Sequence, residues 1–302
     1  MKAEPNFFTP TGRPIARFGL YILALVVCIV FYFPVAGTLL NKTEGVAGRI
    51  STPEFESLVD AMIKISLRTA CGIAGILLSL LLFIREPFRN MIAKPWQPVA
   101  GRFLMCVGIY VLAVLLKDAL VGLATGKPLH FNSAFLTAEN ADVYLVALSF
   151  GLAMVPLQSL TEEIIYRSFI VKGFNGLFSR RWFLMLMSGL FFSLNHGGQD
   201  LFYWLLLSVI LVWSVIKSNS IIYAWAIHAG HNFYYMFVLG GTSHSEDAMT
   251  LFLQDQNQLS LWMELLAVVV TLSVISLKRN WSLTANDFLG KADDRAVSHV
   301  ES

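Results

Sequence analysis

Three short polar clusters, about thirty residues apart, interrupt otherwise apolar stretches of the chain. They read Glu162-Glu163-x-x-x-Arg167, Phe192-x-x-x-His196 and His228-x-x-x-Asn232. A carboxylate beside an imidazole can take a proton from water, and imidazole and amide donors can stabilise an oxyanion. Polar groups are costly inside a bilayer, so they are functional candidates there by default. The clusters predict an enzyme that hydrolyses a bond within the membrane.

The first cluster divides its residues between two faces of a helix. Residues four apart share a face, so Glu163 and Arg167 are expected to pair, with the acid in the favourable N-terminal position. Glu162 lies about 100° around the helix and is expected to be unpaired and available for proton transfer. Glu163 and Arg167 would then be mainly structural. The alternative interpretation of this cluster is a buried charge network that carries out no chemistry.

The second cluster is placed by its distance from a turn. Residue 179, midway between Glu162 and His196, lies in a segment whose turn-forming and basic residues favour a cytoplasmic loop. If the preceding helix continues to about residue 175, Glu162 and His196 each lie about 20 Å from the turn on neighbouring helices. Phe192 shares a helical face with His196 and would exclude water from the site.

The third cluster places an imidazole and an amide on one helical face. His228 and Asn232 are four residues apart, and Lys217 marks the expected cytoplasmic start of their helix. His228 would lie about 12–15 Å into the membrane by helical rise, a depth compatible with the other two clusters. His231 is expected to support the site or to contribute to packing.

Two mechanisms use these residues. In one, Glu162 and His196 deprotonate a water, while His228 and Asn232 donate hydrogen bonds to the oxyanion. In the other, Glu162, His196 and His228 bind a catalytic zinc ion with a position left open for water. The residues alone leave both mechanisms open. The sequence contains neither the H-E-x-x-H motif of zincins nor a G-x-S-x-G serine elbow.

Composition indicates a membrane protein. The chain is 56% hydrophobic and 14% charged, against about 25% charged in an average soluble domain. A net charge of +2 gives no reason to expect a nucleic acid partner, so the expected partners are the lipid bilayer and a peptide or membrane-protein substrate. Cys28, Cys71 and Cys106 form no C-x-x-C pair and are expected to be small buried side chains.

The predicted fold class is all-α, a polytopic transmembrane bundle of about eight helices. The apolar segments are long enough to span a hydrocarbon core and lie at about 18–40, 62–84, 103–125, 143–160, 182–196, 201–216, 220–240 and 261–277. The fourth helix must continue to about residue 175, with a kink or break expected at Pro156. Residues 1–142 would hold helices 1–3, residues 143–240 the catalytic core, and residues 241–302 the last helix and a polar cytoplasmic tail.

The charges that flank the predicted spans indicate the orientation. Lysine and arginine are concentrated before the first span and after the second, fourth, sixth and eighth spans. The alternate loops are acidic, and residues 241–260 contain three acidic residues and neither lysine nor arginine. Because cytoplasmic loops carry the excess of lysine and arginine, both termini are expected in the cytoplasm.

The three clusters, in this order and spacing, resemble the motifs of the CAAX-protease and bacteriocin-processing (CPBP, or Abi) family of intramembrane proteases. That family, which includes the Ras-converting CAAX endopeptidase, has the pattern E-E-x-x-x-R, then F-x-x-x-H, then H-x-x-x-N. The resemblance covers about residues 143–240 and implies a multi-pass protein of the bacterial inner (cell) membrane. The first three spans and the eighth would be peripheral.

The resemblance also implies roles for individual residues. Glu162 and His196 would activate the water, and His228 with Asn232 would form the oxyanion site. The supporting residues would be Glu163, Arg167 and Phe192. Members of the family are commonly labelled metalloproteases, although a metal-free glutamate mechanism has also been argued for them, so zinc is a candidate cofactor only.

Two other functions compete with proteolysis. A non-catalytic membrane binding or bacteriocin-immunity protein of the same family could keep the polar cluster as a structural or docking site. A small transporter could use the Glu and His residues as a proton relay. The transporter interpretation predicts an internal repeat, and the sequence shows none.

Overall fold

The apolar segments form helices because backbone groups within lipid must find hydrogen-bond partners inside their own segment. The computed structural model describes residues 14–43, 56–93, 99–132, 138–175, 178, 180–196, 200–240, 252–253 and 258–281. Its α-helices, in chain order, are α1 (Pro14–Val30), α2 (Ala36–Lys42), α3 (Glu56–Ser79), α4 (Arg89–Ile92), α5 (Ala100–Thr125), α6 (Ala138–Glu163), α7 (Val171–Asn175), α8 (Arg181–His196), α9 (Leu201–Ser218), α10 (Ile222–Phe233) and α11 (Gln258–Arg279).

Wider helical turns and a very small sheet complete the described structure. The π-helical segments are π1 (Phe31–Val35), π2 (Leu80–Ile84), π3 (Ile164–Ile170) and π4 (Tyr234–Val238). The strands, of two residues each, are β1 (His130–Phe131), β2 (Leu239–Gly240) and β3 (Phe252–Leu253). Strand β3 lies in the middle of the sheet, antiparallel to β1 and parallel to β2.

The predicted all-α, polytopic membrane fold is confirmed. Within the described residues, five helical stretches are long and apolar enough to cross a membrane, namely Phe18–Lys42, Val59–Ile84, Ala100–Thr125, Tyr144–Asn175 and Leu201–Ser218. The other three predicted spans are also helical, in α8, α10 and α11. The predicted tail 282–302 lies outside the described residues.

The shortest of these helices is an interior one. Helix α10 has 12 residues, of which eight are buried, and it packs against α5, α6 and α9. Neighbouring helices therefore cover most of this helix, and π4 continues it without interruption to Val238.

The fourth span continues to residue 175 as predicted, because α6, π3 and α7 follow one another without interruption. The helix does not break at Pro156, since α6 remains helical on both sides of this residue, and a kink there stays a prediction. The carbonyl of Pro156 accepts a hydrogen bond from Trp225 Nε1 of α10 at 2.7 Å. The irregular backbone hydrogen bonding lies further on, in π3, which begins directly after Glu163.

A buried carboxylate joins the last helix to the interior of the bundle. Glu264 of α11 accepts hydrogen bonds from Tyr110 of α5 and from Tyr235 of π4, the latter at 2.9 Å. The same carboxylate lies 2.5 Å from Nδ1 of His231 in α10. Helices α5, α10 and α11 therefore meet around one polar cluster, which joins the eighth predicted span to the rest of the bundle.

A glycine in α6 allows this helix and π4 to approach closely, which offers a test of the packing. A Cβ atom at Gly151 of α6 would lie 2.1 Å from the ring of Phe237 in π4, whereas a Cβ atom at Gly108 of α5 would meet nothing within 4 Å. We expect Gly151→Ala to destabilise the fold by about 1–3 kcal/mol through overpacking. Gly108→Ala should stabilise it by about 0.5–1 kcal/mol, because alanine favours a helix interior.

Thermal unfolding of the two glycine variants in detergent measures both effects. Equal melting temperatures for Gly151→Ala and Gly108→Ala would contradict the close contact between α6 and π4.

Candidate active site

The three polar clusters converge inside the bundle. Glu162 lies in the last turn of α6, His196 is the last residue of α8, and His228 lies in the middle of α10. One side-chain ligand atom from each of these residues lies within 4.8 Å of the other two. Two of the three residues are buried and His196 is partly buried. The arrangement brings a carboxylate and two imidazoles together away from bulk water.

The two oxygens of Glu162 have different surroundings. Oε1 accepts hydrogen bonds from the Tyr32 hydroxyl and from Gln158 Nε2, each at 2.5 Å. Oε2 lies 3.6 Å from His228 Nε2 and has no hydrogen-bond partner within the described part of the chain. The expectation of an unpaired Glu162 therefore holds for one oxygen only. The oxygen without a donor is the one that faces the imidazole.

Glu163 connects two side chains. Its Oε2 lies 3.1 Å from Arg167 Nε, as the four-residue spacing predicts, and both side chains are fully buried. Its Oε1 lies 2.8 Å from His228 Nδ1. A carboxylate can only accept, so Nδ1 of His228 carries a proton and Nε2 is the nitrogen that faces Glu162. Glu163 is therefore more than a partner for Arg167, because it also orients an imidazole of the site.

Phe192 lies against the polar side chains of the site. The Phe192 ring lies 4.2 Å from the guanidinium carbon of Arg167 and 4.1 Å from the centre of the His196 ring. Trp204 of α9 also stacks on His196 at 4.4 Å, and its ring lies 6.1 Å from that of Phe192. His196 Nδ1 bonds to the Phe192 carbonyl at 2.9 Å, and a carbonyl only accepts, so Nε2 is the nitrogen left for chemistry.

Asn232 lies beside the site but its donors are directed elsewhere. Its Nδ2 donates to Gln158 Oε1 at 2.9 Å and to Ser159 Oγ at 3.3 Å. An amide nitrogen has two donors, so both are used in this arrangement. Gln158 in turn donates to Glu162, which makes a chain of three side chains that ends on the carboxylate. This geometry favours a positioning role for Asn232 over direct donation to an oxyanion.

Three residues of the site are not part of the predicted motifs. Gln158 lies four residues before Glu162, so the helical spacing that paired Glu163 with Arg167 could also have identified it. Tyr32 and Trp204 come from other helices, and their positions in the sequence give no sign of these contacts. The expectation that the first span is peripheral is wrong, because Tyr32 in π1 contacts Glu162 directly.

Comparison with known proteins identifies the central part of the chain. Residues 144–234, less than a third of the chain, match the family model described as Type II CAAX prenyl endopeptidase Rce1-like. The uncharacterized protein YyaK of Bacillus subtilis (strain 168) is 25% identical over 181 residues, which cover 55% of this chain and 58% of that protein. The match thus spans little more than half of the length of this relative. No solved structure matches the chain.

The family resemblance predicted from the three motifs is confirmed by the match over residues 144–234. The chain is an integral membrane protein, and the segment that contains the three motifs is similar to the Rce1-like CAAX protease family.

Two ion pairs with the same spacing provide a matched test of burial in the site. Glu163 and Arg167 are fully buried, whereas Asp60 and Lys64 of α3 are 43% and 52% exposed. We expect Arg167→Ala to cost about 3–5 kcal/mol, because it removes the cation that faces a buried carboxylate. Lys64→Ala should change stability little, since exposed pairs contribute about 0–1 kcal/mol.

The yield of folded protein and the melting temperature in detergent measure this difference. A loss of equal size in Arg167→Ala and Lys64→Ala would show that the buried pair does not stabilise the bundle.

Proposed function

We propose that the protein is an intramembrane endopeptidase in which Glu162 and His196 activate the water that attacks a peptide bond. The observation that carries this proposal is the convergence of Glu162, His196 and His228 within 4.8 Å, with the donor-free oxygen of Glu162 facing the imidazole of His228. The substrate would be a peptide segment within or next to the membrane.

The proposed reaction needs no covalent intermediate. A water held between Glu162 Oε2 and His196 Nε2 loses a proton to the carboxylate as its oxygen attacks the carbonyl carbon. The tetrahedral intermediate then collapses, the C–N bond breaks, and Glu162 returns the proton to the leaving nitrogen. The products are a carboxyl group and an amine. Phe192 and Trp204, which both contact the ring of His196, would limit access to other water molecules.

In this proposal His228 is the main hydrogen-bond donor to the oxyanion. Glu163 accepts a hydrogen bond from Nδ1 of this ring, so a second proton, on Nε2, would provide a hydrogen-bond donor that faces the site. Asn232 can donate to the oxyanion only after its amide nitrogen has released its hydrogen bond to Gln158 or to Ser159. In this proposal the substrate carbonyl displaces one of those acceptors.

The same three residues also suit a zinc ion. Glu162, His196 and His228 would hold it, because one carboxylate and two imidazoles with an open position form a common set of catalytic ligands. Nδ1 of His228 bonds to Glu163, and Nδ1 of His196 bonds to the carbonyl of Phe192. Histidines that bind a metal are oriented in the same way, by a hydrogen-bond partner on the ring nitrogen that does not bind the metal. A zinc ion would supply Lewis-acid polarisation of the carbonyl and a more acidic bound water.

The net negative charge of the site favours a positively charged group beside Glu162. With both carboxyls ionised, Glu162 and Glu163 bring two negative charges, and Arg167 brings one positive charge. Burial of the remaining charge is costly. Either a protonated His228 or a bound cation would balance it.

The decisive variant is Glu162→Gln, which keeps the shape of the side chain and an oxygen that accepts from Tyr32 and Gln158. We expect the rate of peptide cleavage to fall by at least about 10²-fold, because the general base is lost. The yield of folded protein should remain that of the wild type. Purified wild type, Glu162→Gln and the exposed-residue control Asp60→Asn are compared with a quenched membrane-peptide substrate.

Cleavage that persists in Glu162→Gln would reject this residue as the base. A folded wild type that cleaves no peptide would instead favour a non-catalytic membrane binding or bacteriocin-immunity function, in which the polar cluster is a docking site.

Elemental analysis separates the two forms of the mechanism. If zinc is part of the site, the wild type should contain about one zinc ion per chain, and His196→Ala and His228→Ala should lose it. Asp60→Asn should keep it. Cleavage by a protein that contains no metal, with no effect of a chelator, would exclude the zinc form and support direct acid–base catalysis.

A further inference from the structure

The first membrane helix reaches into the candidate active site. Tyr32 is 5% exposed, and its hydroxyl donates to Glu162 Oε1 at 2.5 Å across a separation of 130 residues. Tyr32 lies outside the matched segment 144–234. A hydroxyl group buried among helices needs a partner, but here the partner is the carboxylate that the proposed mechanism uses as its base.

The backbone around Tyr32 is adapted to this contact. Tyr32 lies in π1, a wider helical turn that also contains Pro34, and turns of this kind occur frequently at functional sites. A Cβ atom on Gly72 of α3 would lie 2.9 Å from Tyr32 Cδ2 and 2.4 Å from Thr161 Cγ2. The absence of a side chain at Gly72 therefore allows the Tyr32 ring and the last turn of α6 to come together.

The contact acts on one oxygen of the carboxylate. Tyr32 and Gln158 both donate to Oε1 of Glu162, so the side chain is held from two directions. Gln158 is itself bonded to Asn232, which fixes the orientation of its amide. The rotation of the carboxylate is thereby set, and Oε2 remains directed at His228 with no donor among the residues that the structure describes.

We propose that Tyr32 is a positioning residue of the catalytic site, whose hydroxyl holds Glu162 Oε1 so that Oε2 is presented to the water. This inference rests on the proposed function, since it assigns Tyr32 a role in the same reaction. It also makes the N-terminal helix a necessary part of the site. Tyr32 touches the base rather than the reacting atoms, so it acts through Glu162.

Tyr32→Phe tests the role, with Tyr235→Phe as the matched control. Tyr235 also donates to a carboxylate, but this is the carboxylate of Glu264, which bonds to Tyr110 and His231 instead of facing the proposed water. We expect Tyr32→Phe to lower kcat about 10–100-fold with KM changed less than about twofold, because alignment of the base is lost while binding is kept. Tyr235→Phe should keep the wild-type kcat.

Gly72→Ala provides a second variant that retains the hydroxyl but displaces it. Its added methyl group would press on the Tyr32 ring, so kcat should fall as in Tyr32→Phe, whereas Gly108→Ala should have no effect on kcat. A wild-type kcat in Tyr32→Phe, or a change in KM alone, would overturn the proposal.

A thermal double-mutant cycle tests the contact without any activity. We expect Tyr32→Phe to lower the melting temperature in the wild type and to have a smaller effect in Glu162→Ala, where its partner is gone. Equal effects in both backgrounds would overturn the proposal. Coupling in the cycle together with a wild type that cleaves no peptide would refute the proposed function, and would reduce Tyr32 to a structural contact.

Discussion

The two adjacent carboxylates at the end of α6 set the conditions that the rest of the bundle has to meet. An ion moved out of water into a protein interior costs several kcal/mol even after the surroundings relax, so each oxygen needs a partner or a function. Glu163 meets Arg167 and His228, and one oxygen of Glu162 meets two neutral donors. These partners come from π1, α6, π3 and α10, so the burial of two charges requires separate segments to converge.

The irregular helical turns lie where side chains have to be directed. Segment π1 contains Tyr32, π3 begins directly after Glu163, and π4 begins two residues after Asn232. A π turn includes an extra residue and therefore changes the direction of the side chains that follow. Regular α-helix would fix those directions by the spacing of 3.6 residues per turn alone. The site is thus built from ordinary helices whose regularity changes next to the functional groups.

Sequence reasoning succeeded where helix geometry decides the outcome. The pairing of Glu163 with Arg167 and the continuation of the fourth helix to residue 175 both follow from local spacing, and both are observed. Contacts between helices depend on rotation and tilt, which no local pattern contains. For this reason the link from Glu163 to His228 was not predicted. Asn232 shares a face with His228 as predicted, but its amide is directed at Gln158 on α6.

The matched segment 144–234 contains the groups that are proposed to react, and the first membrane helix contributes a hydrogen-bond donor to one of them. The expectation that the first span is peripheral fails for a physical reason, because a buried polar side chain must find donors or acceptors on whichever helix packs against it. Tyr32 meets this need for Glu162, and Glu264 meets it for His231. Neither residue lies in the segment that the three motifs cover. Two chains with the same motifs can therefore differ in how firmly the carboxylate of Glu162 is held, since a residue that holds it is outside the motifs.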